Sequence, residues 1–132
     1  MITLGLAFTA LAAPWTGDGQ PLKYVSSCEL DLDQNGAADI VMLVETVRGR
    51  ELVALLTTDA GFDAHVIERL PASNGMHLRC SLERTLVASV AADNGGEAHE
   101  TPGGYIELFK PESGSRSFYW RGDGFVTVVT GD

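Results

Sequence analysis

The chain is short of several things that functional classes depend on. Its three histidines, His65, His77 and His99, stand far apart, and none has a second His or a Cys at zinc-ligand spacing. They read as surface or partly buried polar residues. Basic residues number nine against eighteen acidic ones, and the resulting charge of −9 repels phosphate backbones and anionic membrane surfaces. Nucleic-acid binding is disfavoured accordingly. No apolar run is long enough to span a bilayer, and none reaches helical length without meeting a turn signal. Ser26 and Ser27, beside Cys28, lack the glycines of a nucleophile elbow, so hydrolase chemistry has no motif to stand on. Glu45 and Glu51 could face each other across the first hairpin as an acid/base pair, although exposed charges at a hairpin end are the commoner arrangement.

What is present points to one folded all-β domain. The chain has 132 residues, 45% of them hydrophobic and 20% charged, enough for a single real core. Its 15 glycines, with Asn, Asp and Ser scattered between short apolar runs, imply many tight turns. Residues 1–13, MITLGLAFTALAA, carry no charged side chain, and Ala10 and Ala12 form the small-residue pair that precedes a signal-peptidase cut. The segment reads as a secretory leader ahead of a domain at 14–132. It departs from that pattern in having no Lys or Arg at its front, and a first strand or a buried N-terminal segment is the alternative.

Two cysteines, Cys28 and Cys80, fit an exported protein with one disulfide, in the periplasm or outside the cell. Two small buried hydrophobes that never pair are the alternative. Strands are expected at 22–30, at the apolar runs 40–44 (IVMLV) and 52–56 (LVALL), and at 64–70, with turns at 48–50 and 59–61. The two apolar runs suit strands buried on both faces and joined as a hairpin. The second half is expected to hold strands at 76–80, 85–92, 105–109, 117–120 and 125–129, with a long mobile polar loop at 93–104 and a turn at 113–115. Both halves show a cysteine, an apolar strand, a hairpin and a Gly-Phe step (Gly61 and Phe62, then Gly124 and Phe125), the outline of a degenerate duplication, although short strands with Gly turns resemble each other by composition alone.

The most specific signal is residues 31–39, DLDQNGAAD. Asp31, Asp33 and Asn35 offer side-chain oxygens, Ala37 a backbone carbonyl and Asp39 a closing carboxylate, the hard oxygen set that calcium prefers. Gly36 permits the left-handed turn that wraps such a loop, and Leu32 is placed to anchor it in the core. An EF-hand would carry a glutamate at position twelve, which here is Met42, and would lie between helices. The alternative is an Asx-rich turn that holds no metal.

With its strand-like flanks the loop resembles the calcium loops of FG-GAP or VCBS-type repeats, the modules of integrin α-chain propellers and of many bacterial secreted proteins. The resemblance covers residues 31–62, and implies Asp31, Asp33, Asn35, Ala37 and Asp39 as metal positions. The chain departs from the family in having one repeat, Asn35 where Asp is usual, and Gln34 where Gly is common. Three carboxylates imply modest affinity, on the order of 10⁻⁴ to 10⁻³ M.

Arg121, Gly122 and Asp123 spell an integrin-recognition tripeptide, but YWRGDGF is explained by its own hairpin turn. The C-terminal aromatics, Tyr105, Phe109, Phe118, Tyr119, Trp120 and Phe125, read mostly as core, with an exposed ligand patch as the alternative. The expectation is therefore an exported all-β domain of antiparallel hairpins, a small sandwich or partial propeller, non-catalytic, with structural Ca2+ and a protein or small-ligand partner. An acidic inhibitor of a cationic secreted enzyme is the second reading, and a hydrolase without a recognisable motif the third.

Overall fold

The computed structural model describes residues 23–70, 75–89, 95–111 and 114–131, and the expected leader at 1–13 lies outside them. Among the described residues there are ten strands and no helix. The first sheet is an up-and-down meander of β1 (Lys23–Leu30), β2 (Asp39–Thr46), β3 (Gly49–Thr58) and β4 (Gly61–Leu70), in that spatial order. A second sheet contains β5 (His77–Ser81), β8 (Tyr105–Lys110), β9 (Gly114–Trp120) and β10 (Phe125–Gly131), in the order β10-β9-β8-β5. Between β5 and β8 the chain makes a short ribbon, β6 (Thr85–Val87) with β7 (Ala98–Glu100). All pairings are antiparallel.

Strand alternation explains how the sheets meet. Val41 and Leu43 of β2, Leu52, Ala54 and Leu56 of β3, and Ile106, Leu108 and Phe118 of the second sheet form one buried cluster. The intervening residues point the other way. The result is a sandwich, one of the two arrangements left open by the sequence. Cys28 on β1 is bonded to Cys80 on β5, with Cα atoms 5.9 Å apart, which closes one side of the sandwich. Constraining a loop of sequence separation 52 stabilises by roughly 4 kcal/mol in the chain-entropy model. On the opposite side Arg116 of β9 is ion-paired with Glu68 of β4, and His65 of β4 lies edge-on to Trp120 and Phe125, at 5.3 and 6.0 Å between ring centroids.

The ribbon covers the outer face of the second sheet. Leu86 and Ala88 pack on Val128 there, beside Tyr105, Tyr119 and Val126. This corrects two expectations. The strand expected over 85–92 ends at Val87, and the expected mobile loop at 93–104 contains β7 and the fully buried Thr101. Polar composition misleads here because Thr101 meets its needs internally: its N–H donates to the Arg84 carbonyl (2.8 Å) and its hydroxyl to that of Glu83 (2.9 Å). Smaller corrections concern turns. Gly49 and Arg50 already belong to β3 and Gly61 to β4, because the β2–β3 and β3–β4 hairpins close through two-residue turns, at 47–48 and 59–60, and Gly114 and Ser115 belong to β9.

The repeated order of features falls on matching strands. Cys28 and Cys80 lie on the edge strands β1 and β5, and Gly61-Phe62 and Gly124-Phe125 fall at the starts of β4 and β10. Without the inserted ribbon, the second sheet would be the same four-stranded meander as the first.

Candidate metal centre

The loop 31–39 connects β1 to β2, two neighbouring antiparallel strands, at the end of the first sheet where β3 also finishes. Leu32 is 2% exposed and sits in the core between the sheets. That anchor turns Asp31 and Asp33 away from the core, and Asp39, the first residue of β2, is wholly buried. Carboxylate oxygens of Asp31, Asp33 and Asp39 come within 4.8 Å of one another.

Three of the loop's backbone N–H groups, with that of Thr57, point at these same side chains. Asp31 accepts from the N–H groups of Asn35 (3.1 Å) and Gly36 (2.9 Å), and Asp39 from those of Leu32 (2.8 Å) and Thr57 (2.8 Å). Asn35 is held at both ends, its Oδ1 accepting from the Ala37 N–H (2.9 Å) and its Nδ2 donating to the Thr57 carbonyl (2.7 Å). Gly36 has φ +92°, as a wrapped loop requires, and Gln34 takes φ +58°, the left-handed position occupied by glycine in the resembled family.

A carboxylate has about four lone-pair sites, so these N–H bonds leave Asp31 and Asp39 with acceptor capacity to spare. The ion pairs found among the described residues use other acids, namely Glu45, Glu51, Asp63, Glu68, Glu97, Glu107 and Asp123. Burial pushes the Asp39 carboxyl above its ordinary value of 3.8. The N–H groups of Thr57 and Leu32 oppose that shift, and the neighbouring Asp33 charge adds to it. A divalent cation would reverse the balance by favouring the ionised form. The donor set is entirely oxygen, which fits calcium and suits softer metals poorly.

Two supports of this loop were not legible in the sequence. Thr57, at the end of β3, donates its N–H to Asp39, takes the Asn35 amide on its carbonyl, and gives its hydroxyl to the Ala38 carbonyl (2.6 Å). Gly103, in the connection from β7 to β8, lies so close that a Cβ there would be 2.2 Å from the Leu32 carbonyl oxygen and 2.8 Å from that of Asp31. Gln34 adds a tie by donating to the Pro102 carbonyl (3.1 Å). Thr57 is one polar residue after an apolar run, and PGG reads only as a turn. Between the loop and this connection lies an open cleft of about 470 Å³, with Arg84 and the exposed Leu82 on its far side.

The other candidates do not assemble. The register pairs Glu45 with Arg50 and Val44 with Glu51, so the two glutamates point to opposite faces rather than toward each other. Glu45 is ion-paired with Arg50 (3.3 Å) and the buried Glu51 with Arg69 (3.0 Å). The three histidines lie apart, beside Trp120, Phe109 and Tyr119 respectively. Arg121, Gly122 and Asp123 occupy the exposed β9–β10 turn, where the Arg121 N–H donates to the Gly124 carbonyl (2.9 Å). None of the six C-terminal aromatics belongs to the exposed class, and Phe118 is wholly buried. In comparison with known proteins, the chain matches no family model, no curated protein and no solved structure.

Proposed function

We propose that this protein is a non-catalytic β-sandwich module that binds Ca2+ through the loop 31–39 and uses the ion structurally. The observation that carries the reading is the convergence of the Asp31, Asp33 and Asp39 carboxylates. Asp31 and Asp33 with Asp39 would hold the ion, assisted by the Asn35 side chain and the Ala37 carbonyl. The ion supplies charge neutralisation. The loop's own residues do the rest: Leu32 seats it in the core, and Asp39 and Asn35 tie it to Thr57 at the end of β3.

The resemblance to FG-GAP or VCBS-type calcium loops supports this assignment at the level of residues 31–62. The first sheet is one four-stranded antiparallel meander, the size of a propeller blade. Here it stacks face to face on a second meander. The Cys28–Cys80 disulfide supports an oxidising compartment, periplasmic or extracellular.

Binding linkage sets the size of the effect. For a dissociation constant on the order of 10⁻⁴ to 10⁻³ M, about 10 mM calcium would raise stability by about 1.4 to 2.7 kcal/mol. Isothermal titration of chelator-treated protein tests this. Heat of calcium binding in wild type that vanishes in Asp33→Asn is expected, and a flat titration in wild type would remove the proposal.

A further inference from the structure

Three segments line the open cleft beside the calcium loop: Asp31 and Gly36 come from the loop, Gly103 and Gly104 from the β7–β8 connection, and Leu82 and Arg84 from the β5–β6 turn. Hydrogen bonds tie these segments to one another. Thr101 donates to the carbonyls of Glu83 and Arg84, the Gly104 N–H donates to the Thr101 carbonyl (2.9 Å), and Gln34 donates to that of Pro102. Backbone also packs against backbone, since a Cβ on Gly104, at φ +79°, would be 2.3 Å from the Ser81 carbonyl oxygen. The cleft is thus shaped before a ligand arrives, which limits the ordering cost of binding.

Leu82 and Arg84 present side chains that the fold leaves exposed. Leu82 is 82% exposed, more than any other large hydrophobic among the described residues. Arg50, Arg69, Arg79, Arg116 and Arg121 each stand beside a carboxylate, whereas Arg84 is in no ion pair among the described residues. Both lie across the cleft from Asp31, one of the three converging carboxylates.

We propose that, with calcium on the loop, this cleft binds an acidic peptide segment of a partner protein, one carboxylate set between the ion and Arg84 and an adjoining apolar side chain laid on Leu82. The proposal rests on the calcium reading given above. With one oxygen from each of Asp31, Asp33, Asn35, Ala37 and Asp39, the ion still lacks part of the about six to eight oxygens it prefers. Asp31 puts the border of that site on the cleft. Without the ion, the three loop carboxylates repel an acid. The ion cancels two of their charges and Arg84 balances the third, so the cleft changes from repelling a carboxylate to accepting one.

Calcium binding to the full chain is first measured by titration. The probes are then the blocked peptide acetyl-Leu-Asp-Leu-amide, its neutral analogue acetyl-Leu-Asn-Leu-amide, and acetate, each followed by amide NMR shifts. With calcium, the Asp peptide is expected to shift the amides of 82–84 and 103–104. The Asn peptide, excess chelator and Arg84→Gln should each weaken binding roughly tenfold or more, and Leu82→Ala by a smaller factor. Both side chains are exposed, so the variants should fold, and Arg84→Gln should keep the wild-type calcium titration. Calcium heat without peptide-induced shifts overturns this inference and leaves the calcium site standing. A flat calcium titration in wild type overturns both. Peptide binding that is equally tight in chelator or with Asn in place of Asp, or acetate that matches the peptide, also overturns the inference.

Discussion

Removing the Asp39 carboxylate separates what the loop owes to its own hydrogen bonds from what it owes to a metal. Asp39 is fully buried and accepts two backbone N–H groups, from Leu32 and Thr57, each at 2.8 Å. Asp39→Ala leaves both donors without this partner, at a cost of about 1 to 3 kcal/mol for each that stays buried. Relief from burying a charge beside Asp33 offsets part of that loss, because the carboxyl is already shifted toward its neutral form. A net loss of roughly 2 to 4 kcal/mol is expected, which in a domain of this size lowers the melting midpoint by roughly 10 to 25 °C. The assay is denaturant or thermal unfolding in excess chelator, so that metal plays no part. Asp33→Asn is the control: the Asp33 side chain makes only a long bond, 3.4 Å from the Asn35 N–H, and its substitution should change the chelated midpoint little. A chelated Asp39→Ala protein that unfolds within about 0.5 kcal/mol of wild type would refute the role given to those two hydrogen bonds.

Gly103→Ala places a methyl 2.2 Å from the Leu32 carbonyl oxygen, and because that atom is backbone it cannot rotate away. A loss of about 1 to 3 kcal/mol, with weakened calcium binding, is expected in unfolding and titration experiments. Gln34→Gly removes a left-handed non-glycine residue at φ +58° and also its bond to Pro102; the net gain should be up to about 1 kcal/mol by chemical denaturation. The pH dependence has opposite signs with and without metal. Since burial raises the Asp39 value above 3.8, the folded metal-free protein holds that proton more tightly than the unfolded chain. Ionisation of Asp39 therefore opposes folding at neutral pH, although its hydrogen bonds favour it, and the cost of the charge is relieved as pH falls through the raised value. Calcium needs the ionised form, so the calcium-dependent rise in melting temperature should shrink as a series of melts moves from neutral pH toward 3.8.

Local chemistry was legible where it repeats at short range. The spacing of Asp31, Asp33 and Asp39 around Gly36 identified a loop whose carboxylates do converge, and the continuous apolar runs IVMLV and LVALL located β2 and β3. Leu32 could be assigned to the core because it interrupts an acidic run. Partners distant in sequence were not legible. Thr57 meets Asp39 across 18 residues, and Gly103 meets Leu32 across the sandwich; each carries its meaning in the backbone position that faces it. The stretch 93–104 misled because polar residues can be ordered by carbonyls of another strand, as Thr101 is by those of Glu83 and Arg84. Glu45 and Glu51 misled by a single step of register, which in a strand reverses the face.

Whether the converging carboxylates of Asp31, Asp33 and Asp39 hold calcium, as proposed, is decided by a melting curve. Chelated protein is melted, then melted again with about 10 mM calcium and, separately, with magnesium at matched ionic strength. A calcium-specific rise of roughly 5 to 15 °C is expected from the linkage energy in a domain of this size, and Asp33→Asn should abolish it. A wild-type midpoint that calcium moves no more than magnesium does would contradict it.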